Sequence, residues 1–245
     1  MRPLHVPITE IQFAAKTGFL SRAIWEEFFA SGSYSWRCKQ WVSFLERGFF
    51  KPHPSVLAKH VIVLNRNNLK VVKLVGVDFA SPPYISQLIH DETMARFLLV
   101  LKEKGLIQSF QTEMELKKAD PGSNKARDAS DRTKYPDAVI EVSGNAGALK
   151  IAIELELTRK DPKRYKKCLD TYATRSKVHR VIFIARSNGV FATLKRAMVE
   201  VIYPDYERPI GFSELSGWMK DPGSAVIYFS ESVTSIEKLA AKIGG

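Results

Sequence analysis

Only two cysteines, Cys38 and Cys168, occur in 245 residues, and no CxxC spacing is present. That excludes a disulfide framework and a cysteine-built zinc site, and it fits a reducing cytoplasm. Long hydrophobic runs are missing too. The N-terminal MRPLHVPITEIQF lacks an apolar run of signal-peptide type, and no stretch approaches the length of a membrane span. A soluble, cytoplasmic chain without a membrane partner is expected. A glycine-rich phosphate loop is absent, which counts against a regulator with a ligand-sensing half. Internal repeats are absent as well.

What is present is a 45% hydrophobic chain, long enough for one large domain or two modest ones. Its formal charge is +11, from 37 Lys and Arg against 26 acids. Such an excess points to a polyanion: DNA, RNA or an acidic membrane surface. Residues 1–80 hold 11 of the cations against 5 acids, and the remainder 26 against 21. The first third is therefore the denser, and nucleic-acid reading is sought there first.

ITEIQFAAKTGFLS, SRAIWEEFFASGS and SYSWRCKQWVSFLERGFF read as three short amphipathic helices. Ile8, Ile11 and Ala15 form one apolar stripe, and Ile24, Phe28 and Phe29 another. Ser21 and either Ser33 or Ser35 suit N-caps, while Gly18, Gly32 and Gly48 punctuate the ends. HVIVL then reads as a strand, NRNN as a turn and LKVVKLVG as a second strand. Three helices followed by a strand and turn make a winged helix-turn-helix. In that arrangement the third helix enters the major groove of double-stranded DNA. Arg37, Lys39, Gln40 and Arg47 are its donors for phosphates or base edges; Trp36, Trp41, Phe44 and Leu45 supply core or flank.

ASPPY marks a boundary near residues 80–84, because two prolines cannot continue a helix. The expected domains are thus 1–80 and 81–245. A long helix over 84–104 carries Leu88, Ala95 and Leu99 on one stripe, with Glu92 beside them. FQTEMEL reads as a strand, and KADPGSNKARDASDRTKY as a basic, breaker-rich loop that orders on binding DNA. Strand DAVIEV, a GNAG turn, strand LKIAIELEL, helix 162–176, strand VHRVIFIA and helix 189–201 follow. RPIGFS, SAVIYFS and a last helix from Ser235 close the chain. The fold class is α/β (α+β): a winged helix, then an αβββαβ core with a mixed sheet.

Three acids stand out in that core. Asp137 follows Pro136 at the start of one strand. Glu154 and Glu156 lie two apart on the next, sharing a face, while Ile151, Ile153, Leu155 and Leu157 point the other way. Two carboxylates on one face of an apolar strand are unfavourable unless positive charge sits between them. A hard divalent cation, Mg2+ or Mn2+, would provide it. The competing reading is a solvated edge strand with salt bridges to Lys160, Lys163 or Arg164.

PDAVIEV together with KIAIELEL resembles the PD-(D/E)xK nuclease superfamily, the restriction-endonuclease-like fold. There an Asp on one strand and an acid on the next bind metal, and a Lys usually stands two residues after that acid. Here Glu156 holds the lysine's place. Lys163, Lys166 and Lys167 on the following helix are the substitutes that related families suggest. More narrowly, the chain resembles the replication-relaxation group and the MOBC class of conjugative relaxases. These carry PD, then ExD or ExE, then a helix with Lys and Tyr, matched by Pro136-Asp137, Glu154-Leu155-Glu156, and Lys166, Lys167 and Tyr172.

The resemblance implies a metal-dependent DNA endonuclease that nicks one strand at a plasmid transfer origin, working with other relaxosome or coupling proteins. Asp137 and Glu154 would ligate metal, Glu156 a second metal or a water, and a helix lysine would stabilise phosphate charge. Tyr172 is either a nucleophile or a core residue. Glu92 and His90 are candidates for metal support and proton carriage. A monomer that nicks by metal-held water is expected. The alternative is a non-catalytic DNA-binding accessory or replication factor that keeps the fold.

Overall fold

The structure, a computed structural model, describes residues 6–55, 60–76, 79–119, 135–142, 148–175, 178–201 and 209–244. Most of the basic loop (120–134) and the GNAG turn (143–147) lie outside them. The fold is mixed α/β, and the chain divides into two compact units, Met1–Arg96 and Phe97–Gly245. That division falls inside a helix, beyond the ASPPY segment.

In the first unit, α1 (Ile8–Thr17) ends at Gly18, whose φ is +85°. A Cβ there would lie 2.2 Å from the Ser81 carbonyl oxygen, so both the turn and the close approach require glycine. Strand β1 (Leu20–Ser21) leads into α2 (Arg22–Phe28), where Ser21 accepts from the Ile24 N–H at 3.2 Å. Helix α3 (Tyr34–Glu46) is capped by Ser33, not Ser35, through the Trp36 N–H. Strands β2 (Phe50–Pro52) and β3 (Val61–Leu64) are antiparallel, and β1 pairs with the other edge of β3, giving the order β1-β3-β2.

Two sequence assignments fail in this unit. Phe50–Pro52 forms a strand of its own, β2, where the sequence groups GFF with the third helix. LKVVKLV is not the second hairpin strand but a helix, α4 (Leu69–Val75). The Asn68 side chain decides it by accepting from the N–H groups of Lys70 and Val71, which starts a helix despite the paired valines.

Helix α5 (Leu88–Glu103) contains the point of division. Its buried row is Met94, Phe97, Leu98 and Leu101, with Ala95; Leu88 and Leu99 are only half-buried, so the stripe is rotated from the one expected. Strand β4 (Ser109–Thr112) is shorter than FQTEMEL, because EMEL opens helix α6 (Glu113–Ala119). Thr112 and Glu115 cap each other reciprocally: the Glu115 carboxylate accepts from the Thr112 N–H at 3.0 Å, and the Thr112 hydroxyl accepts from the Glu115 N–H at 3.4 Å. This TxxE capping box outweighs the local strand pattern.

Beyond it the expected order holds: β5 (Ala138–Val142), β6 (Leu149–Glu156), α7 (Pro162–Arg175), β7 (Arg180–Ala185), α8 (Asn188–Val201) and β8 (Ile210–Glu214). The short helix α9 (Leu215–Lys220) was not foreseen; β9 (Ile227–Tyr228), β10 (Val233–Thr234) and α10 (Ile236–Gly244) complete the unit. Among the described residues the sheet runs β10-β9-β8-β7-β6-β5-β4. The β4-β5-β6 part is antiparallel, whereas β6-β7-β8 are parallel and joined through α7 and α8. Both helices pack on one sheet face, where Tyr165, Leu169, Val190 and Leu194 meet Ala152, Phe183 and Phe212. No helix among the described residues is long and apolar enough to cross a membrane.

Candidate functional site

Strand alternation turns Ala152, Glu154 and Glu156 of β6 toward α7. Ile151, Ile153 and Leu155 are buried on the opposite side. Asp137 joins the glutamates through the register: Ala138 pairs with Ile153, so the preceding residue stands beside Glu154 across the strand pair. Its carboxylate accepts from the Leu155 N–H at 2.7 Å. Glu154 and Glu156 are 0% and 1% exposed, so β6 is no solvated edge. It lies inside the sheet, between β5 and β7.

Each buried carboxylate meets polar groups from the segment that follows. The Tyr172 hydroxyl donates to Glu154 Oε1, and the Cys168 thiol lies 3.7 Å from the same oxygen. Lys160 Nζ lies 2.8 Å from Glu156 Oε1. The Tyr165 hydroxyl reaches the other Glu156 oxygen at 3.5 Å and accepts from the Lys160 N–H at 3.2 Å. Burial first, then the negative charge of Glu154, holds the Tyr172 phenol well above its usual range; Cys168 and Asp137 push the same way. Tyr172 is thus a neutral donor, and its ring packs edge-on against Phe183.

The oxygen donors of Asp137 and Glu154 suit a hard divalent ion and stand side by side. Glu156 is engaged by Lys160 instead. Among the described residues no group of three His, Cys, Asp or Glu side chains is gathered closely enough to hold an ion. The register brings Asp137 and Glu154 together as a pair of oxygen donors, and Glu156 does not complete a triad with them.

Of the helix lysines, Lys163 and Lys167 are exposed and Lys166 half-buried. Lys160, which the sequence suggests only as a salt-bridge partner, places its ammonium on Glu156. Its contact with Glu156 escapes strand periodicity because the chain leaves β6 after Glu156 and Lys160 reaches back. Tyr165, Cys168 and Tyr172 did carry a signal: three polar-tipped residues on the apolar row of one helix, opposite two acids. Glu92 and His90 belong to the first unit. There Glu92 accepts from the Ser21 hydroxyl at 2.6 Å, and His90 lies 2.9 Å from Asp91.

The first unit presents α3 differently from the sequence reading. Trp41 and Phe44 are buried, and Arg37 stands on the same i, i+4, i+7 row, so it is half-buried. Gln40 is half-buried on the flank; Gln40 Oε1 and Arg37 Nε are buried atoms without a hydrogen-bond partner. Arg47 lies over the Phe49 ring at 4.7 Å. Lys39 is exposed, as are Tyr34, Ser35 and Trp36, the last 38% exposed. Arg22, paired with Glu26 at 2.8 Å, also lies 3.1 Å from the Cys38 sulfur and holds that thiol below its usual range. No family model, no curated protein and no solved structure matches the chain.

Proposed function

We propose that the chain is a metal-dependent DNA endonuclease that nicks one strand, with the first unit reading DNA and the second cutting it. The observation that carries the reading is Asp137 beside Glu154 on antiparallel neighbours β5 and β6, beneath α7. A sheet running β7-β6-β5-β4 after a leading helix supports the PD-(D/E)xK resemblance, and with it the narrower one to MOBC relaxases and the replication-relaxation group. Three helices with a β1-β3-β2 sheet support a winged helix in the first unit.

Asp137 and Glu154 would hold the ion. When bound, Mg2+ or Mn2+ supplies charge neutralisation at a phosphate and lowers the pKa of bound water. Tyr172 donates to Glu154 and fixes its direction. As a phenol held neutral it is no ready nucleophile, which favours water as the attacking group. Lys160, rather than Lys166 or Lys167, takes the part of the motif's lysine, anchored by Glu156 and available to stabilise charge on phosphate oxygens.

The test is supercoiled plasmid carrying candidate transfer origins, incubated with Mg2+ or Mn2+, with and without chelator. Nicked circles should form only with metal and vanish in Asp137→Asn and Glu154→Gln, while DNA affinity stays near that of the wild type. Lys160→Met should lower kcat by at least about tenfold, the scale on which a group acting only in the transition state is seen. Undiminished cleavage by either acid variant would sink the site.

A second reading has one observation in its favour. Lys160, Tyr172, Tyr165 and the Leu155 amide answer the acids internally, which a DNA-binding accessory factor without catalysis would also show. Tight DNA binding with no nicking under either metal would select it.

A further inference from the structure

We propose that the outward side of α7 and α8 is a second DNA-backbone-binding surface, distinct from α3 and carried wholly by the C-terminal unit. Residues 158–167, TRKDPKRYKK, hold six Lys and Arg against one acid. The fold divides that run by direction. Tyr165, Cys168, Leu169 and Tyr172 point into the sheet. Lys163, Arg164 and Lys167 are exposed, with Lys163 and Lys167 one helical turn apart on one row. Helix α8, packed in the same core layer, exposes Lys195 and Arg196. Asp170 on α7 and Asp161 just before it are exposed acids there, against the five exposed cations Lys163, Arg164, Lys167, Lys195 and Arg196.

The chemistry selects the occupant. A basic helix that lies on a membrane needs large apolar side chains to insert beside its cations. Among the side chains described on α7 and α8 no large apolar one is exposed, because their apolar rows are consumed by the sheet. A row of lysines and arginines without an apolar partner fits the regularly spaced phosphates of a DNA strand, read by charge and not by base. The same helix presses Cys168 and Tyr172 onto Glu154, so a backbone held on its outer side would lie on the element that roofs the acids. The inference rests on DNA being the partner, as proposed above, but not on cleavage.

The experiment uses the full chain in chelator, which removes cleavage from the measurement. Fluorescence anisotropy with duplexes of unrelated sequence is followed across a salt series. The triple variant Lys163→Gln, Arg164→Gln, Lys167→Gln should lose affinity for all duplexes alike, on the order of 10- to 100-fold at low salt. The slope of log K against log salt should flatten by about 2–3, near 0.9 per phosphate contact removed. Lys163→Arg with Lys167→Arg should keep both affinity and slope, and an unchanged thermal melt of the triple variant excludes unfolding as the cause. Wild-type affinity and slope in a folded triple variant would overturn the proposal. So would loss of binding to phosphatidylserine vesicles with DNA binding intact, which would assign the surface to lipid. Absence of nicking in the metal assay, with this salt signature present, would overturn the nuclease reading alone.

Discussion

Phe44 in the first unit and Tyr172 in the second each fill the packing face of a helix, but their surroundings differ in kind. Phe44 closes a group of aromatic rings: Trp25 to Trp41 at 5.3 Å, Trp25 to Phe44 at 5.6 Å and Phe44 to Phe50 at 5.7 Å. Among the described residues the buried polar ones of that unit are Ser21, Ser43 and His53, and each has a hydrogen bond. Tyr172 sits in an equally dry layer that contains a carboxylate, with a second two residues along the strand. Burying ionised groups opposes folding unless donors are built around them, and removing one partner is more damaging than never having had the pair. The first unit's core is dominated by aromatic packing, with no buried carboxylate among its fully buried described residues. The second gives up some of that freedom to hold carboxylates inside, as the proposed metal site would require.

The sharpest break between the units should come from truncating their aromatics. Trp25→Ala removes the ring touching both Trp41 and Phe44 and should destabilise the protein by about 3–5 kcal/mol. Urea unfolding followed by tryptophan fluorescence reads it. A loss below about 1 kcal/mol would mean that the rings do not carry that core.

Tyr172→Phe keeps the ring and deletes one hydroxyl, so a purely apolar layer would scarcely register it. Here a buried carboxylate loses a donor, and the expected loss is about 1–3 kcal/mol. In a double-mutant cycle the loss should shrink markedly once Glu154→Gln is already present, because the two groups act on each other. If it stays the same, the hydroxyl matters for some reason other than Glu154. No protein–DNA adduct should survive denaturation in either background.

The second unit was the more readable from sequence. Glu154 and Glu156 on one face, and Asp137 at the head of the neighbouring strand, follow from a side-chain period of two and survive in the structure. The misreadings are local contests. Asn68 and the Thr112–Glu115 pair started helices where β-branched or alternating residues favoured strands, because cap hydrogen bonds outweigh a weak strand preference. On α3 the burial of Trp41 and Phe44 follows the apolar pattern, but Arg37 shares their row, which a list of donors does not reveal. Lys160 was missed as a site residue because its contact with Glu156 depends on the path of the chain after β6, and periodicity is silent about turns. The candidate site divided the same way: the acids and Tyr172 stood out, whereas the role of Lys160 beside Glu156 did not.

The finest distinction between the units is electrostatic, and here two carboxyls respond to acid in opposite senses. Glu10 in α1 is pushed above the ordinary carboxylate range, by burial first, and the hydrogen bond from Trp25 only partly offsets this. Asp221, at the end of α9, is held below that range by the ammonium of Lys104, 2.7 Å away. A raised acid favours its neutral form in the folded state, so ionised Glu10 opposes folding at neutral pH, and the penalty fades as pH falls through the folded pKa toward the unfolded one near 4.3. A depressed acid does the reverse: Asp221 stabilises above the unfolded value near 3.9, and the gain is lost as pH drops through its lower folded pKa. Glu10→Gln should therefore raise the urea midpoint at neutral pH, with the advantage vanishing in acid. Lys104→Met should lower the midpoint at neutral pH, with the deficit vanishing in acid. Midpoints measured from neutral pH down to the acid limit of folding test both variants. Effects of the same sign in the two would show that burial at Glu10 and ion pairing at Asp221 are not the controlling environments.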